Sequence, residues 1–310
     1  MRKISVLLLS MALVLSAVVA APKSKVQTWT DPEEAKSHPG FALQGEYVAD
    51  DGVGIQVAAL DDGKFHVLTY SGGLPGEEWD PDSKINAKVL TAEEVSTVAK
   101  GMKKLERKSP TLGKKAPDGA LVLFDRELSD AMSGKVKDGL LWAGAKTTQD
   151  VGDFHLHIEF RLPYKPAREL SSQDRGNSGL YIFNNYEVQI LDTFGLDFDA
   201  ENNAVETKSN FKQWCACFYK FKSPDVPMAF PPLQWQTYDI DFRAPRFEGD
   251  KKIENARITV RHNGVVVHDD VELPKGTGAG GGRPEKAKSF LLLQDHGNPV
   301  AFQNIWLLEK

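Results

Sequence analysis

The sequence predicts a mainly β protein, in which a two-sheet β-sandwich follows a small β unit with one helix. Residues 154–161 and 238–243 alternate apolar side chains with charged or polar ones, which is the pattern of strands that bury one face. Turn sequences such as Asn263-Gly264 separate stretches of this kind and favour tight hairpins. Repeated short strands with frequent turns and little helix indicate a sandwich.

The first residues predict export. Two basic residues precede the apolar run of residues 4–19, and small residues lead up to Ala20. This is the pattern of a secretory signal peptide cleaved after Ala20, and the run is shorter than the roughly 20 residues of a membrane-spanning helix. We therefore expect residues 1–20 to be removed and the mature protein, with no membrane span, to be periplasmic or secreted. Residues 21–40 are polar without periodicity, so a flexible leader is expected.

Residues 41–108 are predicted to form the small β unit. Its apolar runs are punctuated by Gly and Asp and comprise residues 41–48, 53–60 and 64–70. Asp61-Asp62-Gly63 predicts a hairpin between the last two runs. The unit carries no catalytic constellation, so we expect it to be a scaffold or to contact a protein partner that the sequence does not identify.

A helix is expected to end this unit. Thr91 and Glu94 form a capping box, and apolar residues then recur at helical spacing from Val95 to Leu105. Residues 109–118 contain two prolines and a glycine, which favours a linker. The main domain is therefore placed at residues 119–310.

Composition excludes some partners and a disulfide framework. A formal net charge of -5 gives no general attraction to nucleic acid. Cys215 and Cys217 are the only cysteines, and a bridge between i and i+2 neighbours on a strand would be strained. We expect both to be buried packing residues, with a redox or metal role as the less favoured alternative.

Metal binding is weakly indicated. His155 and His157 would leave one face of a strand, but no third ligand is identifiable and a solvated face is favoured. Asp197, Asp199 and Glu201 are of the ligand type that calcium prefers, yet the Gly and distal Glu of an EF-hand loop are missing. We predict no cofactor and leave a divalent metal open.

Two polar motifs lie among strand-forming residues, at residues 175–192 and 294–300. Because successive strand residues face opposite sides, Val188 and Ile190 can enter a core while Glu187 and Gln189 project from the other face. Such a strand can display a polar site on a sheet, although a merely wet strand face is the alternative.

The main domain resembles the 3-keto-disaccharide hydrolase family over about residues 119–310. The motifs that carry the resemblance occur in the family's order and are Leu123-Phe124-Asp125, residues 153–161, Gly176-Asn177-Ser178-Gly179, residues 186–190, residues 235–239, residues 262–265, residues 294–300 and Asn304-Ile305-Trp306. The resemblance implies a concanavalin-like jelly roll whose concave sheet binds sugar. His155, His157, and the segments 165–174, 215–219 and 277–283 depart from the usual pattern and look particular to this member.

The family's chemistry assigns roles to the polar residues. A ketone at C3 of a glycosyl ring acidifies the C2 proton, so that a base removes it, the C1 substituent leaves with a proton from an acid, and water then adds to the enone. This route needs a base, an acid and a stabiliser of the enolate oxygen. The resemblance implies Glu187 and His296 as the proton carriers, and an imidazole can act as a base or an acid near neutral pH. The substrate-binding residues are predicted to be Arg175, Asn177, Gln189, Asp192, Gln294 and Asp295.

Some of these residues have structural alternatives. His296 could cap the turn at residues 297–299, Arg175 and Asn177 could shape their loop, and Asp192 could end a strand. Two functions therefore remain: an exported carbohydrate-active hydrolase of 3-keto-glycosides, or a noncatalytic carbohydrate-binding module on the same fold. An exposed aromatic platform would favour the module, and convergence of the polar residues in one cleft would favour the enzyme.

Overall fold

The computed structural model describes residues 27–77, 79–196 and 211–310. Its two α-helices are α1 Pro32–Ala35 and α2 Ala92–Val98. Its strands are β1 Gly45–Val48, β2 Gly54–Ala59, β3 Lys64–Tyr70, β4 Ile85–Thr91, β5 Lys103–Leu105, β6 Leu121–Asp125, β7 Glu127–Leu128, β8 Met132–Lys137, β9 Leu140–Thr147, β10 Phe154–Arg161, β11 Ser178–Ile182, β12 Tyr186–Ile190, β13 Trp235–Arg243, β14 Arg246–Glu248, β15 Lys251–Glu254, β16 Ala256–His262, β17 Val265–Leu273, β18 Leu291–Leu293 and β19 Ala301–Glu309. The predicted signal peptide and the acidic residues 197–201 lie outside the described residues.

The small unit is an antiparallel sheet in the order β4-β3-β2-β1-β5. The capping box opens α2 as predicted, since Thr91 Oγ1 accepts from the Glu94 amide at 3.3 Å. The predicted continuation of the helix to Leu105 is wrong: α2 ends at Val98, and Gly101 adopts a φ of 84°. A left-handed glycine ends a helix, and the chain then enters β5, which pairs with β1.

The expected flexible leader is wrong for residues 27–40. Trp29 exchanges backbone hydrogen bonds with Tyr164 at 3.1 and 2.9 Å, and its ring is 5.4 Å from that of Tyr164 and 5.1 Å from that of His38. Burial of these aromatic rings offsets the entropy lost on ordering the segment. Residues 21–26 of the predicted leader lie outside the described residues.

The strands of the main domain confirm the predicted jelly-roll sandwich. The main hydrogen-bonded network runs in the order β12-β11-β18-β9-β19-β10-β13-β16-β17, with β6 on β19 and β8 on β9. The two halves of this network face each other, because the rings of Phe183 and Tyr186 lie 5.1 and 5.7 Å from that of Phe242 in β13. The apolar faces therefore form the core, and the polar faces point outward. Cys215 and Cys217 form no disulfide, and both are buried as predicted.

The segment predicted as a linker, residues 109–118, lies against the polar face of β10 and β13. Thr111 Oγ1 donates to Asp239 at 2.7 Å, and the Gly113 amide donates to Glu159 at 2.6 Å. His157 bonds both carboxylates, at 2.8 Å to Asp239 and 3.3 Å to Glu159.

The predicted solvated histidine face is therefore wrong for His157, which is 0% exposed. Burial lowers the pKa of His157, but its hydrogen bonds to Asp239 and Glu159 outweigh burial and hold the pKa above the ordinary value. A buried charged network of this kind is tolerated because each member is paired. His155 stays half-buried beside Asp241.

Two features are absent from the described part of the chain. No group of three or more His, Cys, Asp or Glu side chains in residues 27–77, 79–196 and 211–310 is arranged to hold a metal ion. No helix within the same residues is long and apolar enough to cross a membrane.

Candidate active site

The two predicted polar motifs lie side by side in the structure. β11 pairs with β12 on one edge and with β18 on the other. The Gln294 amide donates to the Gly179 carbonyl at 2.8 Å, and Ser178 Oγ donates to the Gln294 carbonyl at 2.7 Å. Asn298 Oδ1 accepts from the Gly176 amide at 3.2 Å. Strand pairing thus brings together residues more than 100 positions apart in the chain.

Glu187 occupies the centre of this region on the polar face of β12. Its side chain is nearly enclosed, with 3% of the residue exposed, and Tyr181 OH donates to Oε2 at 2.7 Å. A Cβ on Gly179 would lie 2.7 Å from Glu187 Oε1 and 3.3 Å from Gln294 Oε1. Glycine at position 179 therefore leaves room for both side chains. Gln294 Oε1 has no hydrogen-bond partner among the described residues, so it can accept a hydrogen bond from a ligand hydroxyl.

The environment of Glu187 changes its acidity. Burial raises its pKa to about 7, although the Tyr181 hydroxyl and the positive charges of Arg283 and Lys220 act in the opposite direction. Burial disfavours the carboxylate because the low-dielectric surroundings solvate charge poorly. A carboxyl group that titrates near neutral pH can both accept and release a proton during turnover.

This raised pKa makes stability depend on pH in a definite direction. The pKa of Glu187 is above the ordinary value of 4.5. The contribution of this group to the unfolding free energy is therefore fully present below pH 4.5 and is lost as the pH rises through about 7. Between pH 4 and pH 8, the unfolding free energy of the wild type should therefore fall by up to about 3 kcal/mol relative to that of Glu187→Gln. Urea unfolding of both proteins across this range measures the difference, and a pH-independent difference would contradict the raised pKa.

Gln189 follows Glu187 on the same face of β12. One end of its side-chain amide lies 3.2 Å from Glu187 Oε1 and 2.7 Å from the Ser178 carbonyl. Both neighbours are acceptors, so the amide nitrogen belongs on that side. The side-chain atoms Gln173 Oε1 and Asn177 Oδ1 lie 3.2 and 3.3 Å from the other end of the Gln189 amide. The site thus contains a continuous polar row beside the carboxyl group.

The loop that carries Asp295 and His296 passes over β9. It connects β18 to β19, which lie on opposite edges of β9. A Cβ on Gly144 of β9 would lie 3.5 Å from Asp295 Cβ, and Gly144 has a φ of 98°, a conformation that favours glycine. Asp295 Oδ1 accepts from the Gly297 amide at 2.7 Å and so holds the turn.

His296 stands exposed on this loop and makes no hydrogen bond to another described residue. No direct bond joins it to the buried Glu187. The structure therefore gives the two predicted proton carriers different environments: the carboxyl group is enclosed in the sheet, and the imidazole is open to solvent on the crossing loop.

Arg175 and Asp192 form a buried ion pair. Arg175 Nη2 and Nε donate to Asp192 Oδ2 at 2.6 and 3.0 Å, and Nη1 donates to the carbonyls of Lys165 and Arg168. Their side chains are 1% and 0% exposed. Their charged atoms thus face protein rather than the open side of the site. Direct sugar contact by these two residues stays a prediction.

Three contributors to the site were missed from the sequence. Tyr181 bonds Glu187, Gln173 lies beside Gln189, and Thr277 Oγ1 accepts from the Glu187 amide at 2.8 Å. Tyr181 could have been found from alternation, because it shares a strand face with Gly179. No local pattern indicates Thr277, which reaches the site through a distant loop.

This fold and site define a jelly-roll protein that encloses a carboxyl group of raised pKa in its polar face. Residues 98–308 match the 3-keto-alpha-glucoside-1,2-lyase-like domain, and the chain belongs to this family. The match begins upstream of residue 119 and includes the segment 109–118 that covers His157.

One solved structure supports the fold. The chain resembles the crystal structure of a “putative glycosyl hydrolase” from Parabacteroides distasonis with 29% identity and a TM-score of 0.52, over 63% of this chain and 85% of that one. Two further structures with the same description and organism show 15% and 18% identity, with TM-scores of 0.45 and 0.40. Each covers 62% of this chain, and 94% and 99% of the respective neighbour. A comparison with curated proteins found no match.

Proposed function

We propose that this protein is an exported enzyme that hydrolyses 3-keto-glycosides, including 3-keto-disaccharides, by C2 deprotonation, elimination and hydration. Membership of a 1,2-lyase-like family supports elimination across C1 and C2, and the neighbour described as a glycosyl hydrolase supports a carbohydrate substrate. The observation that carries the proposal is the enclosed Glu187, whose pKa is raised to about 7 beside the uncharged side-chain amides of Gln189 and Gln294. We expect no cofactor, and export follows from the signal peptide predicted at residues 1–20.

In the first step the Glu187 carboxylate removes the C2 proton of the sugar. The electron pair of the broken C–H bond forms an enolate with the C3 carbonyl, whose oxygen becomes negative. The Tyr181 hydroxyl and the Gln189 amide are donors next to Glu187, and we assign them to this oxygen. Hydrogen-bond donors close to the oxygen stabilise the charge that develops on it.

In the second step the enolate expels the C1 substituent. The C3 carbonyl re-forms, C1 and C2 become doubly bonded, and the C1–O bond breaks. His296 in its imidazolium form gives a proton to the departing oxygen, and its exposure allows it to recover a proton from solvent. Water then adds its hydroxyl to C1, and Glu187 returns a proton to C2. The net result is hydrolysis of the glycoside.

Replacing His296 should separate the two steps. In His296→Ala we expect release of the leaving group to fall by about 10²- to 10⁴-fold, the usual contribution of a general acid. Exchange of the C2 hydrogen with deuterium should continue, because Glu187 is intact. Mass spectrometry of a 3-keto-disaccharide in D₂O measures exchange and release together. Loss of exchange in this variant would contradict the assignment of the base to Glu187.

The overall function is tested with purified protein, 3-keto-disaccharides and their unoxidised parents, with and without a chelator. Cleavage of the keto forms alone supports the proposal, and sensitivity to the chelator would show that a metal assists. Binding of these sugars without cleavage would instead establish a noncatalytic carbohydrate-binding module.

A further inference from the structure

A loop between β17 and β18 is held directly beside Glu187. Asn185 Nδ2 donates to the carbonyls of Gly280 and Arg283 at 3.4 and 3.0 Å. Gly278 has a φ of 48°, and a Cβ there would lie 2.5 Å from the Tyr219 ring and 3.4 Å from Glu187 Oε2. The loop at residues 277–283 therefore lies close to the carboxyl group, and its position is set by several contacts.

Two cations border the carboxyl group at this loop. The Arg283 guanidinium lies 5.6 Å from the centre of the Tyr181 ring, and Lys220 Nζ lies 5.5 Å from that of Tyr219. Tyr181 bonds Glu187 through its hydroxyl, and the Tyr219 amide donates to the Glu187 carbonyl at 3.2 Å. Both cationic residues are exposed.

Neither cation forms a salt bridge with an acidic side chain among the described residues. Most of the arginines form ion pairs, but Arg283 uses only Nη1, which donates to the carbonyl and side-chain oxygens of Asn184 at 2.6 Å. Within the described part of the chain, Nε and Nη2 of Arg283 have no hydrogen-bond partner, and Lys220 forms no ion pair. In a chain of net charge -5, this local positive charge attracts anions to one place.

Arg283 and the His296 loop lie toward opposite ends of β11. Arg283 Nη1 donates to Asn184 in the turn between β11 and β12, whereas the Gln294 backbone amide, just before the loop, donates to the Gly179 carbonyl. The segment of Tyr219 and Lys220 runs along the free edge of β12, through the bond from Tyr219 to Glu187. On the other side of β12 come β11, β18 and then β9, which the His296 loop crosses. A sugar whose leaving group faces His296 would therefore direct the far end of its ring toward Arg283 and Lys220.

From this arrangement we infer that the cleaved glycosyl ring carries an anionic substituent, a carboxylate or a sulfate ester, and that Arg283 and Lys220 bind it. The inference rests on the proposed function for the orientation of the ring. A guanidinium edge with two free N–H groups matches the paired oxygens of a carboxylate or sulfate. The ammonium of Lys220 supplies a second, less directional contact.

The test compares kcat/KM for matched 3-keto-glycosides that carry a neutral hydroxymethyl group, a carboxylate or a sulfate ester on the cleaved ring. The wild type should prefer the acidic substrates, and Arg283→Gln and Lys220→Gln should each lower the ratio of acidic to neutral kcat/KM by about tenfold, mainly through KM. The preference of the wild type for acidic over neutral substrates should shrink with added salt. The preferred acidic substrate distinguishes a carboxylate site from a sulfate site. Lys100→Gln, which removes an exposed cation from the small unit, is the matched control and should leave the ratio unchanged.

An unchanged ratio in Arg283→Gln, or an equal fall for neutral and acidic substrates, would overturn the inference. Arg283→Lys keeps the charge and loses the paired donors, so it should retain part of the preference if the site is correct. Calorimetric binding of unoxidised glucuronides and sugar sulfates needs no turnover. Loss of that binding in Arg283→Gln, with no cleavage of any keto substrate, would support the anion site and reject the proposed function. Cleavage of neutral and acidic substrates at equal rates would support the proposed function and reject the anion site.

Discussion

Glu187→Gln is expected to lower kcat/KM for a 3-keto-glycoside by about 10²- to 10⁴-fold, the usual contribution of a general base. The amide has nearly the shape of the carboxyl group and can still accept the hydrogen bond that Tyr181 OH makes at 2.7 Å. The substitution therefore removes the proton acceptor and leaves the surrounding contacts in place. Because Glu187 has to be ionised to act, wild-type kcat/KM should rise with pH through its pKa of about 7, and this limb should be absent from the variant.

The measurement is deuterium incorporation at C2 together with release of the leaving group. Both should fall in Glu187→Gln, whereas His296→Ala loses release alone. Glu272→Gln, on the surface of β17, is a suitable control because it removes a distant exposed carboxylate. Undiminished C2 exchange in Glu187→Gln would reject the base assignment, even if the enzyme cleaves the substrate.

Breaking the buried pair of Arg175 and Asp192 should have the largest effect on stability. Their side chains are 1% and 0% exposed and the ions are 2.6 Å apart. Removing one partner leaves a charge in a low-dielectric interior, and such changes cost about 3–5 kcal/mol. We expect losses of this size in Arg175→Ala and Asp192→Ala, measured by urea unfolding.

The exposed pair of Lys36 and Glu33 provides the comparison. Its side chains are 64% and 76% exposed, and surface pairs contribute about 0–1 kcal/mol. Glu33→Gln should therefore leave the unfolding free energy almost unchanged. If Arg175→Ala behaved like this control, the pair would not be enclosed as described. A well-folded variant with weaker sugar binding would instead support the predicted contact of Arg175 with substrate.

Much of the site was visible in local pattern. Alternation along residues 186–190 predicts that Glu187 and Gln189 share a face, and they do. The structure places Gln294 of the second motif beside Gly179 of the first. Alternation also predicted that His157 projects from the polar face of its strand. It could not show that residues 109–118 cover this polar face.

The errors share one cause, which is that coverage by distant chain segments has no local signature. Trp29 belongs to a polar segment without periodicity, and its ordering comes from Tyr164, far along the chain. The helical spacing that continues past Val98 is real, but Gly101 and the pairing of β5 with β1 decide the structure. Local propensity is a weak prior that tertiary contacts override.

By itself, the sequence determined the sandwich, the family and the strand faces that carry the polar residues, because alternation and turn chemistry are properties of neighbouring residues. Tertiary structure alone decided that Glu187 is enclosed with Tyr181, that Arg175 and Asp192 neutralise each other, and that Arg283 and Lys220, which form no salt bridge within the described residues, border the same carboxyl group. Strand register and loop crossings between distant segments set burial, and burial sets the pKa and the electrostatics on which the proposed chemistry depends.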